Sequence, residues 1–259
     1  MTDLPQETKA LLNNIAEGSE KILRDNFIGL YVHGSIAMGC FNPFVSDIDF
    51  LIVVRTRMSI TEKRAIVKML LETPCDVPKG MEMSVVLLKH TRNPIFPIPF
   101  ELHFSRDWQE KYQRNEVEFD KDNSDPDLAA HFMITKKRGV AWCGLPIDEV
   151  FAETPKELYL QSLFHDFCDF DNNLIIDPVY AILNACRTAA YLKDALVLSK
   201  KEGGEWALRH FDESYLPVVR QALSAYASAK EFVAPDENAR NAFALYARGQ
   251  IKGYRETVS

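Results

Sequence analysis

Apolar residues first recur at helical spacing. Leu11, Leu12, Ile15 and Ile22 stand among charged positions between Glu7 and about Asp25, which predicts an amphipathic helix. Two runs of another kind follow. Phe27 to Ser35 (FIGLYVHGS) is a short apolar β-type stretch stopped by glycine, and Ser46 to Val54 (SDIDFLIVV) is a second, rich in Ile and Val. The intervening IAMGCFNPFV has room for a short helix and a turn. From Ser59 to Leu71 helical spacing returns. Ser59 and Thr61 are the candidate N-caps, and Ile66, Val67, Leu70 and Leu71 form the apolar face. Pro78, Lys79 and Gly80 make a turn, and MEMSVVLLKH reads as a third strand. The prolines of NPIFPIPFELHFS predict an ordered loop leading into an edge strand.

After about Ala152 the pattern changes. Beyond Pro155 the only prolines are Pro178, Pro217 and Pro235, and helical periodicity dominates. Val179, Ile182, Leu183, Cys186 and Ala190 recur at three and four residues; Tyr180, Asn184, Arg187 and Tyr191 recur similarly on another face. The expectation is an α+β chain: a mixed α/β domain over residues 1–153, then an all-helical domain over residues 154–259. No internal repeat or low-complexity run interrupts either part.

Composition narrows the function classes. The 259 residues are 47% hydrophobic and 26% charged, an ordinary globular balance. A net charge of −7 disfavours a nucleic-acid partner, which needs a positive field, and suits a cationic ligand or plain solubility. No apolar run approaches membrane-spanning length, and the N-terminus, MTDLPQETKALLNN, lacks the regions of a signal peptide. Five widely spaced cysteines without a CxxC pair point to free thiols in a reducing cytoplasm.

The chemistry concentrates in H-G-S-x₃-G-x₆-S-D-I-D, from His33 to Asp49. On a strand, residues two apart face the same way. Asp47 and Asp49 then project together, with Ile48 and Phe50 turned into the core. Two adjacent carboxylates repel unless a cation lies between them, and Mg²⁺ binds through carboxylates together with substrate phosphates. Gly34 and Ser35, at the end of a neighbouring strand, would let phosphate oxygens approach the backbone and accept from the hydroxyl. A helix starting there would add its amides. Either motif alone is common on surface turns; the two together, each tied to a strong β run, carry the signal. GxxxxGK[ST] and GxGxxG are both absent, so the P-loop and Rossmann readings lose support.

The Gly-Ser, spacer and Asp-x-Asp resemble the nucleotidyltransferase fold of the DNA polymerase beta superfamily. That resemblance implies a mixed sheet with flanking helices, Asp47 and Asp49 as ligands of Mg²⁺ carrying a triphosphate, and a third carboxylate from a later strand. Glu82 in MEMSVV is the match; read by itself it is an exposed edge-strand glutamate. VAWCGLPI, PFELHFS and DPVYAILNACRTAAYLKDALVLSKKEGGEWAL narrow the resemblance to the aminoglycoside nucleotidyltransferases, in the spectinomycin/streptomycin adenylyltransferase branch, over about residues 27–226.

The helical part also reads from physics. Ser199-Lys200-Lys201-Glu202 fits a capping box, and two lysines in a first helical turn oppose the macrodipole unless an anion relieves them. The resemblance gives Lys200 the triphosphate; solvation alone is the other reading. It gives Arg187 the nucleotide phosphates, against an ordinary ion pair. Asp177 before Pro178 is explained structurally as an N-cap, and the resemblance adds a grip on the cationic drug. Streptomycin-active members carry a tryptophan and an aspartate where this chain has Cys168 and Asn173, which weakens streptomycin as substrate. The aromatic expected after HFS is Trp108, although the register places Asp107 there. His33, Trp142 and Trp206 belong to packing, His103 and His131 show no metal spacing, and nothing in the sequence lowers the pKa of Cys40 beside Gly39.

The expected function is transfer of AMP from ATP, with Mg²⁺, to a hydroxyl of a small cationic acceptor, an aminocyclitol or aminoglycoside such as spectinomycin, releasing pyrophosphate. Glu82 would act as base and touch the acceptor. The chain is expected to be a monomer without nucleic-acid or membrane partners. The rivals are a nucleotidyltransferase with a protein or non-antibiotic acceptor, and a non-catalytic nucleotide-binding remnant.

Overall fold

The computed structural model describes residues 4–228, 232–233 and 237–258. The chain divides into two compact units, Met1–Ser162 and Leu163–Ser259. The change in composition near residue 153 lies just ahead of that division.

The first unit contains α1 (Gln6–Leu23), β1 (Phe27–Val32), α2 (Gly34–Ala37), β2 (Ile48–Val54), α3 (Ile60–Glu72), β3 (Met81–Leu87), α4 (Leu88–Arg92), β4 (Ile98–Phe100), β5 (Leu102–Phe104), α5 (Arg106–Gln113), β6 (Asn123–Asp125), α6 (Leu128–Arg138), β7 (Val140–Gly144) and α7 (Ile147–Val150). The helix α8 (Lys156–Asp166) crosses the division. The main sheet has the order β5-β3-β2-β1-β7. Only β2 and β3 run parallel in it. A second, small sheet pairs β4 with β6.

The period of two along β2 sorts the sheet into two faces. Ile48, Phe50, Ile52 and Val54 join Met81, Met83 and Val85 beneath α1 and α3, in a core that includes Leu12, Ile15 and Ile66. Burying a side chain such as Phe50 contributes about 1.5–3 kcal/mol. On the opposite face Leu51, Val53, Tyr31 and Val86 pack under Phe132 and Leu128 of α6. Asp49 and Glu82 lie on this second face, at the start of β2 and β3.

Several sequence expectations differ in detail. The third strand ends at Leu87, and residues 88–92 turn into α4. The proline-rich segment forms two short strands, β4 and β5, with β5 at the sheet edge. Asp47 precedes β2 and does not belong to it. Ser59 does cap α3, with Glu62 completing a capping box.

The second unit holds α9 (Phe170–Ile176), α10 (Pro178–Asp194), α11 (Lys200–His210), α12 (Leu216–Ser228) and α13 (Glu237–Val258). Its core gathers Ile182, Leu183 and Cys186 of α10 with Trp206, Val219 and Phe243. Asp177 caps α10 by accepting from the Tyr180 amide at 3.0 Å, with Pro178 at the first helical position. Ser199 and Glu202 form the capping box of α11. A β-carbon on Gly203 would stand 2.7 Å from the Arg187 backbone, so this glycine is what lets α11 lie against α10 at Arg187.

Candidate active site

The site in the first unit is built by strand pairing. In the parallel β2–β3 ladder Asp49 stands opposite Glu82, which sets two carboxylates side by side on one face. The His33 amide donates to the Asp49 carbonyl at 3.0 Å and so brings the end of β1 against the same point. Asp47 approaches from the loop. The Ile48 amide donates to the Gly80 carbonyl at 3.1 Å, which fixes that loop at the foot of β3. One carboxylate oxygen from each of Asp47, Asp49 and Glu82 lies within 4.8 Å of the others, and all three residues are half-buried. Like charges this close repel one another, and a cation among them would relieve that repulsion. Three hard oxygen donors suit Mg²⁺, which keeps further positions for phosphate and water.

Gly34 and Ser35 complete this end of the sheet. Gly34 adopts φ +59°, and a β-carbon there would fall 1.8 Å from the Asp49 carboxylate. Glycine is therefore required twice over, for backbone conformation and for space. Among the described residues the buried Ser35 hydroxyl has no hydrogen-bond partner, an arrangement that costs free energy unless a ligand accepts from it. As expected, a helical turn begins at Gly34, although α2 is only a single turn.

Behind the carboxylates lie neutral imidazoles. His33 is 2% exposed, and its ring centroid is 4.8 Å from that of His131 on α6. Burial pushes the His33 pKa well below the ordinary value, and His131 adds to the effect. The His103 Nδ1 lies 2.9 Å from the Ser84 hydroxyl, two residues beyond Glu82 on the same strand. Burial lowers the His103 pKa to about 4; Asp125 opposes the shift and His131 reinforces it. The Trp108 ring meets His103 edge-on at 5.5 Å, whereas Asp107 is exposed.

In the second unit, Arg187 donates through Nε to Asn184 Oδ1 at 2.6 Å. Among the described residues it forms no ion pair, which removes the ion-pair reading of this side chain. The Lys200 ammonium sits 4.6 Å from the Tyr180 ring centroid. Asp177 performs its capping role, and Cys168 is exposed at the residue after Phe167. The residue sequence reasoning passed over is Asp166, which accepts hydrogen bonds from both Tyr180 and Asn184. The polar stripe on α10 was its only visible signal.

Residues 17–120 match the model of the nucleotidyltransferase domain, and residues 149–249 match that of the C-terminal domain of aminoglycoside adenylyltransferase. The chain joins a nucleotidyltransferase domain to a domain matching the C-terminal part of aminoglycoside adenylyltransferase. It is an enzyme of the nucleotidyltransferase class. It is 24% identical to an aminoglycoside (3'')(9) adenylyltransferase of Shigella flexneri over 95% of both chains. It is 21% identical to a spectinomycin 9-adenylyltransferase of Campylobacter jejuni, covering 87% of this chain and 86% of that one. Its fold resembles the crystal structure of spectinomycin adenyltransferase AAD(9) from Enterococcus faecialis with ATP and spectinomycin. The TM-score is 0.80, with 18% identity, over 94% of this chain and 98% of that chain. The fold is thus a nucleotidyltransferase domain, a mixed sheet with flanking helices, followed by a helical domain. Among the described residues no helix is long and apolar enough to cross a membrane.

Proposed function

We propose that the protein moves AMP from ATP to a hydroxyl of a small cationic acceptor of the aminocyclitol or aminoglycoside class, with spectinomycin the first choice, and releases pyrophosphate. The observation that carries this reading is the meeting of Asp47, Asp49 and Glu82 beside Gly34 and Ser35. Asp47 and Asp49 would hold Mg²⁺, which when bound neutralises triphosphate charge and orients its oxygens. Gly34 leaves room for a phosphate at the backbone, and the Ser35 hydroxyl donates to one of its oxygens. Arg187 and Lys200 are assigned the remaining phosphate charge.

Glu82 takes the proton from the acceptor hydroxyl as its oxygen attacks the α-phosphorus in line. The bond from the α-phosphorus to the bridging oxygen breaks, and pyrophosphate leaves. The register of β2 and β3 holds this base beside the aspartates, so the protein's contribution is positioning and electrostatics. Asp177 would hold an ammonium group of the acceptor. The acceptor class is supported by the relatives' activities and by the net charge of −7. The departures at Cys168 and Asn173 favour spectinomycin over streptomycin. The free cysteines suit a reducing, cytoplasmic setting.

The test is a screen of aminocyclitols, aminoglycosides and small alcohols with Mg-ATP, detecting pyrophosphate. Release with spectinomycin or a related antibiotic is expected. Release with none of these acceptors, from protein that binds Mg-ATP, would refute the acceptor assignment.

A further inference from the structure

One face of α10 presents Tyr180, Asn184 and Arg187 at successive turns. A single carboxylate gathers them. Asp166, the last residue of α8, accepts from the Tyr180 hydroxyl at 2.8 Å through one oxygen and from the Asn184 side-chain amide at 2.5 Å through the other. Asn184 then accepts from Arg187 Nε. The Tyr180 ring lies under the Lys200 ammonium. Both cations assigned to the phosphates are thus connected to Asp166, each through one intermediary.

The chain passes from α8 into a 3-10 turn, Phe167–Asp169, directly after Asp166. Among the described residues no cation pairs with it, and two neutral donors hold it in place. That indirect arrangement has a consequence for Arg187. A direct Asp–Arg pair would occupy the terminal guanidinium nitrogens and would have to break before phosphate could bind. The link through Asn184 uses Nε and leaves the terminal edge, the one that forms bidentate phosphate contacts. On the other branch, the Tyr180 hydroxyl is committed as a donor to Asp166, which fixes the ring whose face attracts the Lys200 ammonium.

We infer that Asp166 is a positioning residue that presets Arg187 and Lys200 to receive the triphosphate. The inference rests on the phosphate reading of those two cations given above. It is tested on the full chain by calorimetric titration with Mg-ATP and by competition with AMP, which lacks the β- and γ-phosphates. Asp166→Ala is expected to weaken Mg-ATP binding about tenfold and to leave AMP competition within about twofold. Combined with Arg187→Ala, it should weaken binding less than the two single effects multiplied, because both act through one network. Asp166→Asn and Tyr180→Phe, which disturb packing less, should show the same ATP-selective loss in smaller degree.

A purely structural role for Asp166 predicts equal losses for ATP and AMP and effects that multiply with Arg187→Ala; that pattern overturns the inference. So does unchanged Mg-ATP binding in Asp166→Ala when Arg187→Ala and Lys200→Ala both weaken it. Unchanged binding in those two variants removes the phosphate reading itself, and the role of Asp166 with it.

Discussion

The α-carbon of Gly34 is packed so closely against the carboxylate of Asp49 that any added β-carbon would fall 1.8 Å from one of its oxygens. The turn after β1 and the central aspartate therefore cannot be varied independently. Gly34→Ala must move the Asp49 side chain and adopt a left-handed backbone, whose cost is about 1–2 kcal/mol. With Asp49 in its proposed role as metal ligand, activity is expected to fall at least about 100-fold, because a shift of about an ångström at a reacting centre has that effect. Steady-state pyrophosphate release and thermal melting measure the two consequences. A variant that stays near wild-type activity would show that Asp49 need not hold this position.

Ser35 allows stability and binding to be separated. Its buried hydroxyl has no partner among the described residues, so Ser35→Ala relieves an unsatisfied group. The expected result is a melting temperature equal to or above wild type, together with a KM for ATP raised about tenfold through the lost donor to phosphate. Lower stability with an unchanged KM would assign the hydroxyl a structural role instead.

Asp177 combines a cap with a proposed grip on the acceptor. Asparagine caps helices as well as aspartate does, whereas alanine costs about 1 kcal/mol. Asp177→Asn should therefore melt like wild type and keep its KM for ATP, while the KM for a cationic acceptor rises about tenfold. Asp177→Ala should lose stability as well. Equal acceptor KM values in wild type and Asp177→Asn would restrict this residue to capping.

His103 gives a pH signature. Its folded pKa, lowered to about 4 chiefly by burial, lies below the ordinary value of 6.5. Between those values the unfolded chain binds more protons than the folded one, so stability rises with pH through this window and levels off above it. His33, also buried, contributes with the same sign. Urea midpoints should fall as pH drops from 6.5 toward 4, and the slope should be shallower in His103→Gln. The comparison between variants matters because carboxylates titrate at the lower end. An identical slope in both proteins would mean that His103 protonates as readily folded as unfolded.

The parts of the fold legible in the sequence were those specified by local rules. The alternating Ile48, Phe50, Ile52 and Val54 announced β2, and the capping boxes at Ser59 and Ser199 formed as written. Helix α6 was not legible, since Leu128, Ala129, Phe132, Met133 and Ile134 are all buried and leave no polar face to set a period. Asp47 was read onto the strand but joins its partners from the loop, so its place depends on the turn at Gly80 and not on strand alternation. The pairing of Asp49 with Glu82 followed only once β2 and β3 were known to be neighbours in register. Asp166 was invisible for the same reason. Its partners lie 14 and 18 residues away, and only the fold of the second unit brings them together.

The most direct measurement compares wild type with Glu82→Gln, both supplied with Mg-ATP and spectinomycin, following pyrophosphate release and the mass of the antibiotic. Wild type should add one adenylyl group to the antibiotic. Glu82→Gln should add none, yet still bind Mg-ATP within a few-fold of wild type, since the carboxylate is required to take the proton. Undiminished adenylylation by Glu82→Gln would contradict the account at its centre.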